Sequence, residues 1–173
     1  MPVEPFLRLL SRFEEQHVRH VVIGVWAANY YAKTGAEVFT TEDRDLFLPP
    51  DPENLLRAWS SCRAEGFTLW SGDEPLGEPL DRWLADRIVA QRALTSAVHD
   101  SGVVVDLTLV MAGFEFDAVW SGRRVFRVDD VDIPVARISH IVESKARAGR
   151  PKDRLFLATY EERLRQLVRD EEK

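Results

Sequence analysis

The stretch that decides the fold is VFTTEDRDLFLPPD, residues 38–51, in which two aspartates stand two positions apart at the head of a short apolar run. Side chains alternate between the two faces of a β-strand, so Asp43 and Asp45 share one face and Arg44 takes the other. Two like charges side by side repel each other, and water or a cation between them relieves the repulsion. The motif therefore indicates either a solvated strand end or a cation site.

The composition is typical of an ordinary soluble globular protein with one domain and a core: 173 residues, of which 45% are hydrophobic and 30% charged. A formal net charge of -6 argues against broad nucleic-acid binding, although a local basic patch can still hold phosphates. The single cysteine, Cys62, excludes an intramolecular disulfide and a thiolate metal site. The N-terminus is no signal peptide and no apolar run approaches a membrane span, so we expect a cytoplasmic protein.

Hydrophobic periodicity and turn residues predict one α/β unit in which strands and helices are interleaved. The predicted elements are a helix over 5–17, a strand over 20–24, a helix over 25–35, a strand over 43–48, a helix from 52 to 66, a loop over 70–81, a short helix over 82–90, a hairpin over 93–110, a short helix over 114–122, a ribbon over 124–136, and two helices over 137–148 and 152–170. The predicted organisation is a core over 1–136 with C-terminal helices, 137–173, packed on it in a single domain.

A third acid, Asp106, lies in the apolar run VVVDLTLV at 103–110. An isolated buried carboxylate is costly, so it needs a partner, a proton or a cation. We expect Asp43, Asp45 and Asp106 to converge on one patch at the edge of a mixed sheet. Mg²⁺, which prefers oxygen ligands, would satisfy all three. The alternative is an arginine partner for Asp106 from elsewhere in the chain.

Three further features have both a structural and a functional interpretation. Gly24 ends a strand before a helix, where its backbone either packs closely or approaches an anion. The segment ESKARAGRPKDR, 143–154, is either a solvated basic surface or a phosphate contact. The acids of the 73–81 loop are either solvated or attract a cationic acceptor; they are Asp73, Glu74, Glu78 and Asp81.

The order of these motifs resembles the nucleotidyltransferase superfamily of DNA polymerase β. Gly at a strand end precedes a helix, then Thr-x-Asp-x-Asp-Leu on a strand, and later Val-Asp-Leu on another. The similarity is greatest to the small prokaryotic branch, with its minimal and antibiotic nucleotidyltransferases and abortive-infection toxins of toxin–antitoxin pairs. Three segments between 21 and 157 carry the resemblance: VVIGVWAANYYAKTGAEVFTTEDRDLFL, VVVDLTLVMAGFEFDAVW and IPVARISHIVESKARAGRPKDRLFL. It implies a mixed sheet flanked by helices, with a C-terminal helical pair.

The resemblance also implies a reaction, the Mg²⁺-dependent transfer of a nucleoside monophosphate from a nucleoside triphosphate such as ATP to an acceptor hydroxyl. The acceptor would be a small molecule, a protein or an RNA end. Asp43, Asp45 and Asp106 would hold a two-metal Mg²⁺ site, and Asp106 would also help to deprotonate the acceptor. The implied nucleotide contacts are Gly24, Val25, Thr41, Lys145, Arg150 and Lys152.

Two positions depart from the family pattern. The family turn carries Gly-Gly or Gly-Ser, whereas this chain has Gly24-Val25, and Arg44 replaces the more usual apolar residue between the acids. Valine has no hydroxyl and restricts the backbone, so we expect measurable but weak nucleotide binding. The alternative function is a catalytically weak or inactive binding module with a protein partner, such as a component of a toxin–antitoxin pair.

Overall fold

The computed structural model describes residues 4–32 and 39–173. Within these ranges there are eight α-helices and one 3₁₀ turn, Asn29–Tyr31. The helices are α1 Pro5–Glu15, α2 Gly24–Ala28, α3 Pro52–Ala64, α4 Arg82–Gln91, α5 Phe116–Gly122, α6 Ile138–Ala148, α7 Pro151–Thr159 and α8 Glu161–Glu171. The strands are β1 Val21–Ile23, β2 Arg44–Phe47, β3 Phe67–Ser71, β4 Glu74–Pro75, β5 Thr95–His99, β6 Val104–Thr108, β7 Arg124–Val128 and β8 Val131–Val135.

All eight of these strands form one mixed sheet in the order β4-β3-β5-β6-β2-β1-β8-β7. The neighbours β2 and β6 are parallel, as are β1 and β8, and the other neighbouring pairs are antiparallel. The two strands that carry Asp45 and Asp106 are therefore central, and the expectation of a sheet edge was wrong. A continuous apolar run such as Leu46-Phe47-Leu48, which is buried here, is typical of a central strand covered on both faces.

The helices pack apolar faces against this sheet. The stripe of α1 is buried as its periodicity predicts, with Leu9, Leu10 and Phe13 fully inaccessible. Helix α3 begins as predicted, because the Asp51 side chain accepts a hydrogen bond from the Glu53 amide at 3.1 Å. The predicted hairpin over 93–110, the short helix α5 and the ribbon of β7 and β8 are confirmed.

Arg44 anchors the face of β2 that lies opposite the aspartates. Its guanidinium carbon is 4.0 Å from the centre of the Trp26 ring, and Nη2 is 3.7 Å from Oε1 of Glu4 on the cap of α1. This arrangement gives Trp26 a packing role. Because side chains alternate along the strand, the same contacts direct Asp45 to the other face.

The interpretation of 70–81 as a loop was wrong in part. Trp70 pairs with Pro75 and Ser71 with Glu74, so the segment contains the hairpin of β3 and β4, which turns at Gly72 with φ +63°. The turn residues in this segment therefore connect two paired strands.

The C-terminal segment, which was predicted to form two helices, forms three. The backbone leaves helical geometry at Tyr160, which separates α7 from α8. The Tyr160 ring packs 4.8 Å from that of Phe39. After this bend, the Glu171 carboxylate reaches the start of α6 and accepts hydrogen bonds from the amides of Ile138 and Ser139 at 2.7 and 3.3 Å. The break thus lies between two tertiary contacts, the packing of Tyr160 on Phe39 and the cap that Glu171 forms on α6.

The helix predicted over 25–35 is shorter: α2 and the 3₁₀ turn account for 24–31, and 33–35 lie outside the described residues. Across the two described ranges, no helix combines the length and the hydropathy needed to cross a membrane.

Candidate active site

A cavity of about 800 Å³ lies between the acid-bearing face of the sheet and helices α6 and α7. It is lined by all nine residues predicted as metal or nucleotide contacts: Gly24, Val25, Thr41, Asp43, Asp45, Asp106, Lys145, Arg150 and Lys152. The volume is near the upper end of the range for small-molecule sites. The topology thus brings together residues that are up to 128 positions apart in the chain, from 24 to 152.

Asp45 and Asp106 are direct partners across the parallel strands β2 and β6. Parallel pairing in register places both side chains on one face, so the two carboxylates face the same cavity. Ser96, the register partner of Asp106 on β5, donates its hydroxyl hydrogen to Oδ1 of Asp106 at 2.6 Å. Within the described chain no arginine forms an ion pair with Asp106, and the serine hydroxyl takes that place.

The Asp45 carboxylate is destabilised in its charged form. Burial, then the negative charges of Asp106 and Asp43, raise the pKa of Asp45 from 3.8 to about 6, while Lys145 and Lys152 act in the opposite direction. A carboxylate with a raised pKa among like charges gains energy from any bound cation. A bound divalent metal ion or a protonated ligand would relieve this repulsion between like charges.

Gly24 makes room for Asp45. It connects β1 to α2 with φ +76°, a left-handed conformation that favours glycine. A Cβ at this position would lie 2.9 Å from Oδ2 of Asp45, closer than packed atoms tolerate. The requirement for glycine here is therefore steric as well as conformational, because the Asp45 carboxylate fills the space that a side chain would need.

The other residues on this side of the cavity have weaker contacts. The hydroxyl of Thr41 accepts a hydrogen bond from the Asp43 amide at 3.1 Å and so shapes the approach to β2. Nζ of Lys152 is 4.0 Å from Oδ2 of Asp43, and both side chains are largely exposed. Val25 follows Gly24 and lines the same wall. Exposed ion pairs of this kind contribute little to stability, so Asp43 and Lys152 remain available to a ligand.

A second charged cluster lies opposite the acids, on α6 and α7. The Asp153 side chain is fully buried, and its Oδ1 accepts a hydrogen bond from Nζ of Lys145 at 3.1 Å. Its Oδ2 accepts one from Nε of Arg150 at 2.7 Å. These contacts lower the pKa of Asp153 although its burial acts in the opposite direction. Asp153 thus holds two cations at the cavity wall, and one of them, Lys145, is only 13% exposed.

Sequence reasoning missed Ser96 and Asp153. The signal for Asp153 was present, since it follows Arg150-Pro151-Lys152 at the third position of α7 and accepts from the Arg150 amide at 3.3 Å in a capping box. Ser96 could be found only through the register of the β5–β6 hairpin. The third omission is a set of exposed apolar side chains on the cavity wall: Leu94, Val110 and Leu155.

The acids are suited to hold Mg²⁺ jointly with phosphate oxygens and water rather than to form a complete metal site from protein side chains. In the described part of the chain, no group of three or more His, Cys, Asp or Glu side chains is close enough to hold a metal ion by itself. Mg²⁺ is usually held by one or two carboxylates together with phosphate oxygens and water. The adjacent carboxylates of Asp45 and Asp106, with unrelieved repulsion at Asp45, fit that mode.

Comparison with solved structures gives matches over nearly the whole chain. The lincosamide antibiotic adenylyltransferase LnuA, in its lincomycin-bound crystal structure, matches with a TM-score of 0.56 and 12% identity over 91% of this chain and 95% of its own. The solution structure of the antibiotic-resistance factor ANT(2'')-Ia matches at 0.55 and 14% over 96% and 88%. Its crystal structure with adenylyl-2''-tobramycin gives 0.51 and 13% over 96% and 94%. No protein-family model and no functionally curated protein matches the sequence.

These similarities show the fold. The chain has the nucleotidyltransferase fold, as the order of its sequence motifs predicts. At 12–14% identity the comparison does not extend to substrates, which have to be argued from the cavity.

Proposed function

We propose that this protein is a nucleotidyltransferase that moves a nucleoside monophosphate from a nucleoside triphosphate to an acceptor hydroxyl. The observation that carries the proposal is the pairing of Asp45 with Asp106 across two central parallel strands, opposite a wall of basic side chains in one cavity. Acids alone would indicate a cation site, and bases alone an anion site. Both together suit a metal-bound polyphosphate.

Each charged residue has a place in this reaction. Asp45 and Asp43 would hold Mg²⁺ together with the triphosphate, and Asp106 would share the metal. The cation, when bound, neutralises phosphate charge and makes the α-phosphorus easier to attack. Lys145, which is paired with Asp153 and lines the cavity, would contact the phosphates, as would Arg150 and Lys152.

The proposed transfer is a single displacement. The acceptor oxygen forms a bond to the α-phosphorus as the bond between that phosphorus and the bridging oxygen of the β-phosphate breaks. Pyrophosphate leaves, and the hydroxyl proton passes to Asp106. The Ser96 hydroxyl donates a hydrogen bond to Oδ1 of Asp106, so the other carboxylate oxygen, Oδ2, would accept this proton. Because Gly24 lines the cavity without a side chain, a phosphate would be able to approach its backbone closely.

The proposal is tested by label transfer from α-labelled nucleoside triphosphates in the presence of Mg²⁺ and cell extract. We expect a labelled product with the wild type and none with Asp45→Asn. Asp100→Asn, an exposed turn residue outside the cavity, is the matched control and should behave as the wild type. Absence of any labelled product, together with absence of a nucleotide-induced rise in melting temperature at millimolar Mg²⁺, would overturn the proposal.

A second candidate is a nucleotide-binding module that does not transfer. Val25 favours it, because a valine offers no hydroxyl to the phosphates at a wall of the cavity where the related turn carries glycine or serine. The same experiment separates the two. A nucleotide-induced thermal shift that depends on Mg²⁺ and Asp45, without label transfer to any component of the extract, would favour the binding module.

A further inference from the structure

One part of the cavity wall is apolar and accessible. Leu94, Val110 and Leu155 are 47%, 54% and 68% exposed, and all three line the cavity. They are three of the seven large hydrophobic side chains that are exposed in the described chain. Single exposed aliphatic residues are ordinary, but several that share one concave site indicate a binding surface.

Two of these side chains flank the strands that carry Ser96 and Asp106: Leu94 precedes β5 and Val110 follows β6. Ser96 on β5 pairs with Asp106 on β6. Leu94 precedes Ser96 by two positions and lies just before β5 begins. Val110 follows Asp106 by four positions, just past the end of β6, where the Thr108 hydroxyl donates to the Val110 carbonyl at 2.9 Å. Leu155 reaches the cavity from α7 on the opposite side. The apolar residues therefore continue the wall beyond the acid assigned to the acceptor proton.

We propose that Leu94, Val110 and Leu155 form the acceptor subsite, and that the acceptor is an uncharged hydroxyl compound with an apolar portion. This inference rests on the proposed function. The acceptor must bring a hydroxyl to Asp106, and whatever extends beyond that hydroxyl meets three aliphatic side chains. The volume of about 800 Å³ is consistent with two ligands in one cavity.

The charges around the cavity do not suit a polycationic acceptor. Besides the three aspartates assigned to the metal and the proton, the acid that lines the cavity in the described chain is Asp153, which is buried and already paired with Lys145. The 73–81 loop, considered above as a means of attracting cations, lies in the described chain and contributes no residue to the cavity wall. Glu78 in that loop pairs with Arg63 at 2.6 Å, and Asp81 caps α4.

A matched pair of neutral acceptors tests the subsite. Hexyl β-D-glucopyranoside and methyl β-D-glucopyranoside present the same hydroxyls and differ in the apolar chain, and tobramycin serves as the polycationic probe. We expect the hexyl compound to bind about tenfold more tightly than the methyl compound by isothermal titration in the presence of Mg²⁺ and a non-hydrolysable nucleotide. Tighter binding of tobramycin than of the hexyl compound, or equal binding of the two glucosides, would overturn the proposal.

The double variant Leu94→Asn and Leu155→Asn locates the effect. Both side chains are exposed, so the fold should be retained, which circular dichroism and thermal melting check. We expect the hexyl preference to fall to near equality while the nucleotide-induced melting shift stays at the wild-type value. Val128→Asn, an exposed apolar residue outside the cavity, is the matched control.

The nucleotide shift separates this inference from the function on which it rests. A double variant that loses the nucleotide shift and keeps the hexyl preference would assign the apolar wall to the nucleobase and refute the acceptor subsite. If the wild type itself shows no nucleotide shift and no label transfer, the proposed function fails, and the inference fails with it.

Discussion

Replacing Asp45 by asparagine is expected to stabilise the empty protein at neutral pH while it removes the proposed activity. Burial and the negative charges of Asp106 and Asp43 all disfavour the charged form of Asp45. Asparagine has nearly the same shape and no charge, so it relieves all three. A buried carboxylate with such a cost to stability is typical of a functional site.

The magnitude follows from the pKa of Asp45, which rises from 3.8 to about 6. A shift of one unit corresponds to 1.36 kcal/mol, so the charged carboxylate reduces the free energy of unfolding by about 3 kcal/mol as an upper value. For a chain of this size, 1 kcal/mol changes the melting temperature by about 2–4 °C. We therefore expect Asp45→Asn to melt above the wild type at pH 7.5 without Mg²⁺, by up to about 6–12 °C.

The pH dependence gives the effect a signature. Because the folded-state pKa of Asp45 is raised, the folded protein binds the proton more readily than the unfolded chain between about pH 4 and about pH 6. The contribution of Asp45 to wild-type stability therefore becomes more favourable as the pH falls through 6, and the variant lacks this change. The difference in melting temperature should be full at pH 7.5 and should largely disappear near pH 4.

Calorimetry of both proteins across this pH range, with Asp100→Asn as an exposed control, decides the matter. An Asp45→Asn protein that melts at or below the wild type at pH 7.5 would refute the electrostatic account. So would an equal difference at pH 7.5 and pH 4. Added Mg²⁺ and nucleotide should reverse the order, because they stabilise only the protein that binds them.

Three further predictions test other residues of the cavity. Gly24→Ala places a Cβ 2.9 Å from Oδ2 of Asp45 at φ +76°, so urea unfolding should show a loss of about 1–2 kcal/mol and label transfer should disappear; unchanged stability and transfer would refute the steric role. Asp153→Asn leaves Lys145 without its buried partner and should cost about 3 kcal/mol in the same assay, whereas a loss below about 1 kcal/mol would contradict the clamp. Val25→Ser supplies a hydroxyl and should tighten Mg²⁺-nucleotide binding about tenfold to a hundredfold by titration calorimetry; unchanged affinity would contradict the assigned cause of weak binding.

Much of the site could be predicted because its signals are local in the sequence. The alternation around Arg44 fixes the common face of Asp43 and Asp45, and an acid within an apolar run such as Asp106 has few alternatives to a functional or paired role. The position at a sheet edge was predicted wrongly, although the apolar run after Asp45 is typical of a central strand. Which strands lie on either side of it depends on contacts between distant segments.

The features that were missed depend on such distant contacts. The bend at Tyr160 is set by packing against Phe39 and by the reach of Glu171 to the start of α6. Neither leaves a helix-breaking residue in the sequence, so the periodicity continues across the bend. Likewise, the partner of Asp106 is a serine whose identity follows only from the hairpin register.

The position of Lys145 indicates which requirement shaped this site. A protein selected for stability alone would pair Lys145 with Asp45, since both line the same cavity and burial together with the charges of Asp106 and Asp43 raises the pKa of Asp45. Instead, Asp153 holds the lysine ammonium at 3.1 Å, and in the described chain no basic group lies within 4.0 Å of the Asp45 carboxylate. Two charges of opposite sign are thus kept apart across the cavity, each available to a ligand. The metal-bound polyphosphate that we propose would supply the cation that the acids lack, so the protein should be more stable with the cavity occupied than with it empty.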